Sequence, residues 1–536
     1  MRRRSFLKIA VGFAGTGASP SLWANDKGLV TPAAIPVPGI IDVKNRKQLF
    51  VDDWLIATKS RVSKYMGCPE KHSGNPLIVA DKAWECENPG AVRLPLAGVQ
   101  ICGQTVIYDT DEQIFKMWYN PYAFFAGKVR PWCYAISKDG YKWEKPNLGI
   151  YAYQGSGDNN ILGAYSKTKY FNVFKDARDP DPQRRYKAMG EVEGAERNGA
   201  AVAFSPDGLH WTEYSGNPVV PKGREIADCP TFLGWDSRIQ KYVYYPRPGP
   251  PLATRLNGRG SYLNPEDRSV NANEGQLRTI GYSTSDDFIR WTPTQLMLAP
   301  DENDRMDFQY YQMTAAQDGD VYIGFMHMLQ TRDQSFDIYL LTSRDGFHWN
   351  WVDRDRPFMK RGPRGAYDFG YLTPSGPIVH DGKIWIYYGA YADAHSYEIP
   401  NYGTKGMSIA LDTLPADRYM GLLAGPDLAT VVTRPLAFTG SKLKVDVDAS
   451  LPDSYSRDNS KRHFDEMDLR VALLDQWGGA IEGFSISQCR MLTESGAQDV
   501  FWEPSGPDLS RLSGKSVRIR FEFRNATVYG FQFAQG

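Results

Sequence analysis

A seven-residue pattern recurs four times in this chain and constrains its fold more than any other feature. Each copy begins with Ser, carries Asp two residues later and ends with Trp, and three copies have Gly directly after the Asp. The copies span 137–143, 205–211, 285–291 and 343–349, and the third carries Phe288 in place of Gly. Asp-Gly between two apolar runs is typical of a hairpin, because Gly accepts a positive φ and Asp bonds the turn backbone. The pattern therefore predicts four β-hairpins along the chain.

A second feature, a polar turn followed by an aromatic strand, occurs five times, at 111–119, 184–189, 236–245, 318–325 and 381–388. The first four lie ahead of a hairpin, so the repeating unit reads as a four-stranded propeller blade with insertions. After position 425 the segments 442–447, 469–474, 517–523 and 528–533 alternate apolar and polar residues, as half-buried antiparallel strands do. The predicted fold is all-β: a five-bladed β-propeller over 45–425, followed by a β-sandwich over 426–536.

The N-terminus has the features of an export signal. Arg2, Arg3 and Arg4 precede a short apolar run over 9–17, and small residues follow. The run is shorter than the roughly 20 apolar residues that a membrane span needs. Paired arginines followed by Ser-Phe-Leu-Lys are typical of a twin-arginine signal. We therefore predict a signal peptide over 1–30, a linker over 31–44, no membrane span, and a periplasmic or secreted protein.

Composition narrows the class of partner. Lys+Arg and Asp+Glu both number 62, so the formal net charge is zero. A nucleic-acid partner is not expected, because it normally requires a basic face. Aromatic residues make up 13% of the chain, which fits clefts lined by flat rings and a carbohydrate partner. Oligomeric state stays open.

Motifs of other chemistries are absent from the sequence. There is no Walker loop, dinucleotide fingerprint, Gly-x-Ser-x-Gly elbow or His-Glu-x-x-His arrangement, and only seven His are present. We therefore expect neither a cofactor nor a catalytic metal. A structural calcium at the base of the propeller is left open, although no loop has the calcium-binding spacing.

Specific motifs carry a resemblance to a known family. The run Gln-Leu-Phe-Val-Asp-Asp-Trp-Leu-Ile at 48–56, the Asp-Asn-Asn-Ile run at 158–161 and the hairpins resemble exported bacterial proteins of the five-bladed propeller glycosidase superfamily. That superfamily includes invertase-like fructan hydrolases and arabinanase-type enzymes. The resemblance implies a C-terminal sandwich, and hydrolysis of glycosidic bonds by carboxylates at the axial funnel. The invertase-type Asn-Asp-Pro-Asn motif is missing, so those catalytic residues do not transfer.

Propeller geometry nominates site residues instead. The inner strand of each blade begins at the funnel mouth and the second strand returns to it, so residues at those positions converge. Glycoside hydrolysis needs one carboxylic acid and one carboxylate base or nucleophile. The predicted catalytic residues are Glu87, Asp228, Asp307 and Asp368. The predicted substrate-binding residues are Asn120, Asn160, Arg247, His327, Tyr391 and His395.

The sequence thus predicts an exported glycoside hydrolase acting on a poly- or oligosaccharide. Two alternatives stay open, because propellers host several functions. A non-catalytic sugar-binding propeller would keep the aromatic walls without a productive pair of acids. A polysaccharide lyase would use a His or Tyr base with a cationic neutraliser, for which His327, His395 and Arg247 are available.

Overall fold

The computed structural model describes most of the chain. The described residues are 39–86, 98–122, 130–165, 168–192, 199–221, 225–248, 278–305, 307–395, 406–452, 461–463, 467–504, 506 and 508–536. Their helices are short: the α-helix Ala83–Cys86 and the 3₁₀ turns Pro182–Arg184, Ile486–Gln488 and Ser510–Leu512. Within these ranges, no helix has the length and apolar character to cross a membrane. The predicted signal peptide lies outside the described residues.

Five antiparallel blades follow one another along the chain. The first contains Val99–Gln100, Val106–Asp109, Ile114–Pro121, Arg130–Ser137 and Ile161–Tyr165. The second contains Thr168–Lys175, Tyr186–Val192, Gly199–Ser205, Thr212–Glu213 and Val220–Pro221. The third contains Glu225–Asp236, Lys241–Pro248, Ile280–Ser285 and Gln295–Leu298. The fourth contains Phe308–Asp318, Val321–Gln330, Ser335–Ser343 and Trp349–Trp351. The fifth contains Tyr371–Pro374, Ile378–His380, Lys383–Tyr391, Met407–Pro415 and, at its outer edge, Glu70–Lys71.

Buried apolar side chains fill the interface between each pair of neighbouring blades. The interfaces include Trp118 with Tyr170, Met189 with Phe232, Tyr245 with Phe308, Ile323 with Ile384, and Phe115 with Trp385. The last pair joins the first blade to the fifth, with ring centroids 5.1 Å apart. The blades therefore form a ring.

A strand from the N-terminal side also helps to close the ring. Lys71 pairs with Asp412 of the strand Met407–Pro415 in the fifth blade, although the first four blades lie between them in sequence. The predicted all-β class and the predicted propeller architecture are confirmed.

The recurring hairpins have the expected turn chemistry. In the first copy the amide of Gly140 donates to Ser137 Oγ at 2.9 Å, and the next two amides donate to Asp139 Oδ1. Gly140 has a φ of 76°, the conformation that made Gly the expected residue. In the degenerate copy Phe288 adopts a φ of 65° while its ring is buried between the second and third blades. Packing of that ring offsets the cost of the backbone conformation.

Aspartates at the ends of the first three inner strands each connect their blade to the next. Asp109 accepts a hydrogen bond from the Tyr186 hydroxyl at 2.9 Å, and Asp176 accepts one from Tyr242 at 2.5 Å. Asp236 is bonded in the same way by Tyr322. Each tyrosine begins the second strand of the following blade, so these aspartates lie at the end of the ring opposite the inner-strand starts. We call them the locking aspartates.

The C-terminal region forms a two-sheet sandwich. One sheet contains Ile41–Lys44, Leu436–Phe438, Ser516–Arg524, Ala429–Thr433, Ile56–Ser60 and Asp468–Asp475. The other contains Gly496–Asp499, Lys442–Asp448, Ala526–Ala534, Met420–Ala424, Ser63–Met66 and Gln48–Leu49. A separate pair of strands is formed by Ser450–Pro452 and Lys461–His463. An apolar core that includes Trp502 and Phe521 lies between the sheets. Strands over 41–66, a stretch that the sequence boundaries divided between linker and propeller, thus belong to the sandwich sheets.

Candidate functional site

The ends of the second strands mark the mouth of the propeller. Because each second strand is antiparallel to its inner strand, its last residues lie beside the first residues of the inner strand. Phe308 pairs with Gln330 in the fourth blade, and Tyr371 pairs with Tyr391 in the fifth. The second strands of the first three blades end near Asn120, Glu191 and Arg247.

A continuous set of rings crosses this mouth from the first blade to the fourth. Tyr371 and Tyr391 stack with centroids 3.7 Å apart, and the Tyr391 hydroxyl donates to Gln100 Oε1 of the first blade at 2.8 Å. The ring centroids of His395 and Tyr371 lie 5.8 Å apart, and His395 Nε2 is 3.2 Å from the Tyr311 hydroxyl. These contacts bring residues of three blades to one surface.

The third blade adds positive charge to this surface. Buried Arg247 donates from Nη2 to the Tyr311 carbonyl at 2.7 Å, and its guanidinium lies 4.6 Å from the centroid of the Tyr311 ring. Arg278 lies 5.4 Å from the same centroid and donates to Gln309 Oε1 at 2.7 Å. A guanidinium over a ring is held there electrostatically. We define the mouth cluster as Tyr122, Arg247, Tyr311, Tyr371, Tyr391 and His395; Tyr122 packs against Tyr391.

Two carboxylates accompany the mouth cluster. Asp393 lies between Tyr391 and His395 in sequence, and its buried Oδ2 has no hydrogen-bond partner among the described residues. The predicted catalytic residue Asp307 precedes the inner strand of the fourth blade and is buried, with both oxygens bonded by Arg305 at 3.1 and 2.8 Å. Asp393 therefore has capacity to bond a ligand, whereas Asp307 is held by a neighbour.

The predicted ligand residue His327 lies deeper in the ring. It is fully buried on the second strand of the fourth blade, beside Gln312 of the inner strand. Burial lowers its pKa to about 3. Neither ring nitrogen has a partner within the described part of the chain. The imidazole is therefore neutral, and it lies within the ring interior rather than among the contacts of the mouth cluster.

The two predicted asparagines differ in surroundings. Asn120 is buried at the end of the second strand in the first blade, where it pairs with Gln100. Asn160 is completely buried: it accepts from Trp84 at 2.9 Å and donates to Tyr119 at 2.6 Å. The bonds of Asn160 hold the first blade together, so its amide is committed to structure.

The predicted catalytic residue Asp368 makes its contacts elsewhere. Its carboxylate is paired with Lys71, on the outermost strand of the fifth blade. Its Oδ1 lies next to Gly362, where a Cβ would come within 2.1 Å. These neighbours belong to the junction between propeller and sandwich, so the structure does not bring Asp368 together with Asp307.

Two further predicted acids cannot be placed. Glu87 lies outside the described residues, and the side chain of Asp228 lies outside the described side chains. Their assignment as catalytic residues stays a prediction.

Other sequence features have structural roles. Asp52, from the motif at 48–56, is bonded by Arg344 through both oxygens at 2.8 and 2.9 Å. This ion pair attaches the N-terminal segment to the fourth hairpin. Across the residues that the structure describes, no group of three or more His, Cys, Asp and Glu side chains could hold a metal ion.

Sequence reasoning did not single out Tyr311 or Tyr371 as site residues. Tyr311 is an extra residue in the inner strand, at the irregularity between Tyr310 and Gln312. Such a bulge turns a side chain away from its regular face, and the sequence carries no distinct signal of one. Tyr371 was detectable in principle, since it begins the inner strand of the fifth blade.

The fold and the mouth cluster define a class of protein: an all-β propeller with a C-terminal sandwich and an aromatic site at the mouth of the ring. No protein-family model matches the chain, and no curated protein matches it. Solved structures do match, and glycoside hydrolases of the propeller type are among them.

Three matches illustrate the likeness. A glycosyl hydrolase from Bacteroides ovatus matches at 12% identity and a TM-score of 0.39, over 68% of this chain and 96% of its own. A second structure belongs to the GH130 family of mannoside phosphorylases, which contains glycoside hydrolases that target β-1,2 mannosidic linkages in Candida mannan. It matches at 12% identity and a TM-score of 0.39, over 65% of this chain and 94% of its own. A GH32 β-fructofuranosidase from Bombyx mori matches at 10% identity and a TM-score of 0.37, over 82% of this chain and 91% of its own. At TM-scores below 0.5, none of these likenesses assigns an activity to this chain.

Proposed function

We propose that this protein is a glycoside hydrolase that cleaves a poly- or oligosaccharide at the mouth of its propeller. The observation that carries the proposal is the mouth cluster, in which rings from three blades meet and Arg247 lies over one of them. Asp393 lies between Tyr391 and His395 in sequence, and its buried Oδ2 has no partner among the described residues. Tyr rings pack against the C–H faces of sugars, while Arg and carboxylate groups bond their hydroxyls. Export through the twin-arginine signal forms part of the proposal.

The proposed chemistry uses two carboxyl groups on opposite sides of the bond to be cleaved. One protonates the leaving oxygen, and the other activates water or attacks the anomeric carbon. Asp393 is the described carboxyl best supported for contact with substrate, because its Oδ2 has no partner in the described part of the chain. Asp307, Asp228 and Glu87 are the candidates for its counterpart, and Asp368 is a weaker one because Lys71 occupies it.

The test measures reducing ends released from a panel of neutral and acidic polysaccharides. We compare the wild type with Asp393→Asn, Asp307→Asn and Asp228→Asn, and with Asp427→Asn, an exposed position in the sandwich, as the control. Loss of a catalytic acid or base should reduce the rate by about 10² to 10⁴-fold. Full activity in all three mouth variants would reject these carboxyl assignments, and binding of a glycan without turnover would favour a sugar-binding propeller.

One contact favours a second candidate function, that of a polysaccharide lyase. The Tyr311 hydroxyl lies 3.2 Å from His395 Nε2, and Arg247 lies over the Tyr311 ring. A Tyr–His pair beside a guanidinium could abstract a proton next to a neutralised carboxylate. A product with ultraviolet absorbance from a new double bond, lost in Tyr311→Phe and retained in Asp393→Asn, would establish the lyase instead.

A further inference from the structure

We propose that a cleft between the propeller and the sandwich binds a neutral sugar, separately from the mouth. This junction cleft consists of two adjoining cavities of about 350 and 340 Å³ that share Tyr65, Gly67, Cys68, Pro69 and Lys71. Each volume falls within the range of about 300–1,000 Å³ that is usual for small-molecule sites. The proposal does not depend on hydrolysis at the mouth.

A buried carboxyl group lines the second cavity. Asp412 is 1% exposed and belongs to the fifth blade, and Tyr388 donates a hydrogen bond to its side chain. Its Oδ1 is buried and has no partner in the described ranges. A buried polar atom without a partner is rare in a folded protein and calls for an occupant, either water or a ligand.

An ion pair supplies further polar groups beside this carboxyl. Lys71 lines both cavities with its side chain 36% exposed, and it is paired with Oδ2 of buried Asp368. Oδ1 of Asp368 is a second buried oxygen without a partner among the described residues. It lies directly behind Gly362, which lines the second cavity, while Asp368 itself lines neither cavity.

These groups fit hydroxyls better than they fit a metal ion. Two arginines that also line the second cavity, Arg356 and Arg361, are paired with Asp353 and Asp337. Lys71 already compensates the charge of Asp368, so a metal cation would compete with an ammonium that is in place. A hydroxyl group both donates and accepts, so adjacent hydroxyls satisfy carboxyl oxygens and an ammonium together. Tyr65 and Phe358 supply apolar wall for the C–H face of a ring. A neutral monosaccharide unit combines these features.

The chain contains a built-in reporter for occupancy. Cys68 has an exposed thiol that lines both cavities, whereas Cys86 is an exposed thiol on the short helix and lines neither. We would measure iodoacetamide labelling of each thiol by peptide mass spectrometry, with glucose, galactose, mannose, arabinose or fructose present. At least one sugar should slow labelling of Cys68 severalfold and leave Cys86 unchanged. If no sugar protects Cys68, or if both thiols respond equally, the proposal is wrong and the cleft holds water.

Variants then connect protection to the carboxyl groups. Asp412→Asn should raise the sugar concentration needed for half-protection about tenfold or more, because a neutral amide replaces the carboxyl group and its charge-assisted hydrogen bond. Asp355→Asn, an exposed carboxylate outside the lining, should leave that concentration unchanged. Unaltered protection in a folded Asp412→Asn would overturn the assignment.

A further variant covers the case in which Asp412→Asn does not fold. Cys68→Phe fills the cleft from its exposed edge, and it should abolish the sugar's signal in ligand-observed NMR. Persistence of that signal would place the sugar elsewhere and reject the proposal. Asp393→Asn should keep the protection of Cys68, so failure at the mouth and failure at the cleft are distinguishable.

Discussion

Ionisation of Asp412 should make folding stability depend on pH in a defined direction. This carboxyl is nearly fully buried, and burial raises its pKa from 3.8 to about 7. The positive charge of Lys71 and a hydrogen bond from Tyr388 lower the pKa in part, while Asp368 raises it. At neutral pH the side chain is therefore close to half protonated in the folded chain and ionised in the unfolded chain.

The sign follows from counting protons. Between pH 3.8 and about 7 the folded state holds a proton on Asp412 that the unfolded state has lost. The contribution of Asp412 to stability is therefore complete below 3.8 and is lost as pH rises through 7. One pKa unit corresponds to about 1.4 kcal/mol, so the displacement corresponds to about 4 kcal/mol over the whole window.

The perturbation is Asp412→Asn, which keeps the shape of the side chain and removes its titration. Urea unfolding of both proteins, followed by tryptophan fluorescence, gives the difference in unfolding free energy at pH 5, 6, 7 and 8. We expect the variant to gain on the wild type by about 3 kcal/mol between pH 5 and pH 8, with most of the gain below pH 7. Exposed Asp427→Asn should show a constant difference. A difference for Asp412→Asn that does not change with pH would falsify the argument, since the buried carboxyl would then be ionised throughout.

Three further predictions concern the ring, and each is measured by urea unfolding. Gly140→Ala should cost about 2 kcal/mol more than Gly149→Ala: both positions have positive φ, but a Cβ on Gly140 would lie 2.6 Å from an indole of the fifth blade, and one on Gly149 would meet nothing. Equal costs would show that the blades yield at this contact. His327→Leu should stabilise the protein by about 1 to 3 kcal/mol by removing two buried nitrogens that lack partners in the described chain. The pKa of His327 falls from 6.5 to about 3 on folding, so the wild type loses stability as pH falls below 6.5. The difference in unfolding free energy in favour of the variant should therefore grow below pH 6.5, and a smaller difference in acid would contradict this. Tyr322→Phe should cost about 1 to 3 kcal/mol and more than Tyr186→Phe, because two lysines also bond the aspartate that Tyr186 contacts. If Tyr186→Phe costs more stability than Tyr322→Phe, the tyrosine–aspartate bonds do not hold the blades together as we infer.

The sequence was sufficient for the architecture because the hairpins are local. The Ser, Asp and Gly of the first copy form their hydrogen bonds within four residues, so a short window of sequence contains the whole cause of the turn. The sandwich could be predicted for a similar reason, because alternation of apolar and polar residues along a strand shows which face is buried. The contribution of N-terminal strands to the sandwich could not be predicted. Nothing in 41–66 alone shows that these residues pair with strands from the C-terminal region.

The site was harder to predict because its geometry is set between blades. Arg247, Tyr391 and His395 were found by assuming that strand ends converge, and they lie in the mouth cluster. Asp368 was chosen by the same rule, but its side chain contacts Lys71, whose position depends on a strand contributed from far away in sequence. Convergence of backbone positions therefore does not determine the direction of a side chain.

The two ends of the blades use similar polar residues in opposite ways. At the far end, each locking aspartate is bonded by a tyrosine of the next blade, as Asp236 is by Tyr322. At the mouth, Asp393 Oδ2 and Gln309 Nε2 are buried without hydrogen-bond partners within the described chain. Bonds between blades fix the ring at one end, so polar groups at the other end need not contribute to its assembly. Unsatisfied groups cost stability wherever they occur, and Asp318 at the far end of the fourth blade also has a buried oxygen without a partner in the described chain. Rings and guanidinium groups gather beside such atoms at the mouth, and this combination is the physical reason for assigning ligand binding there.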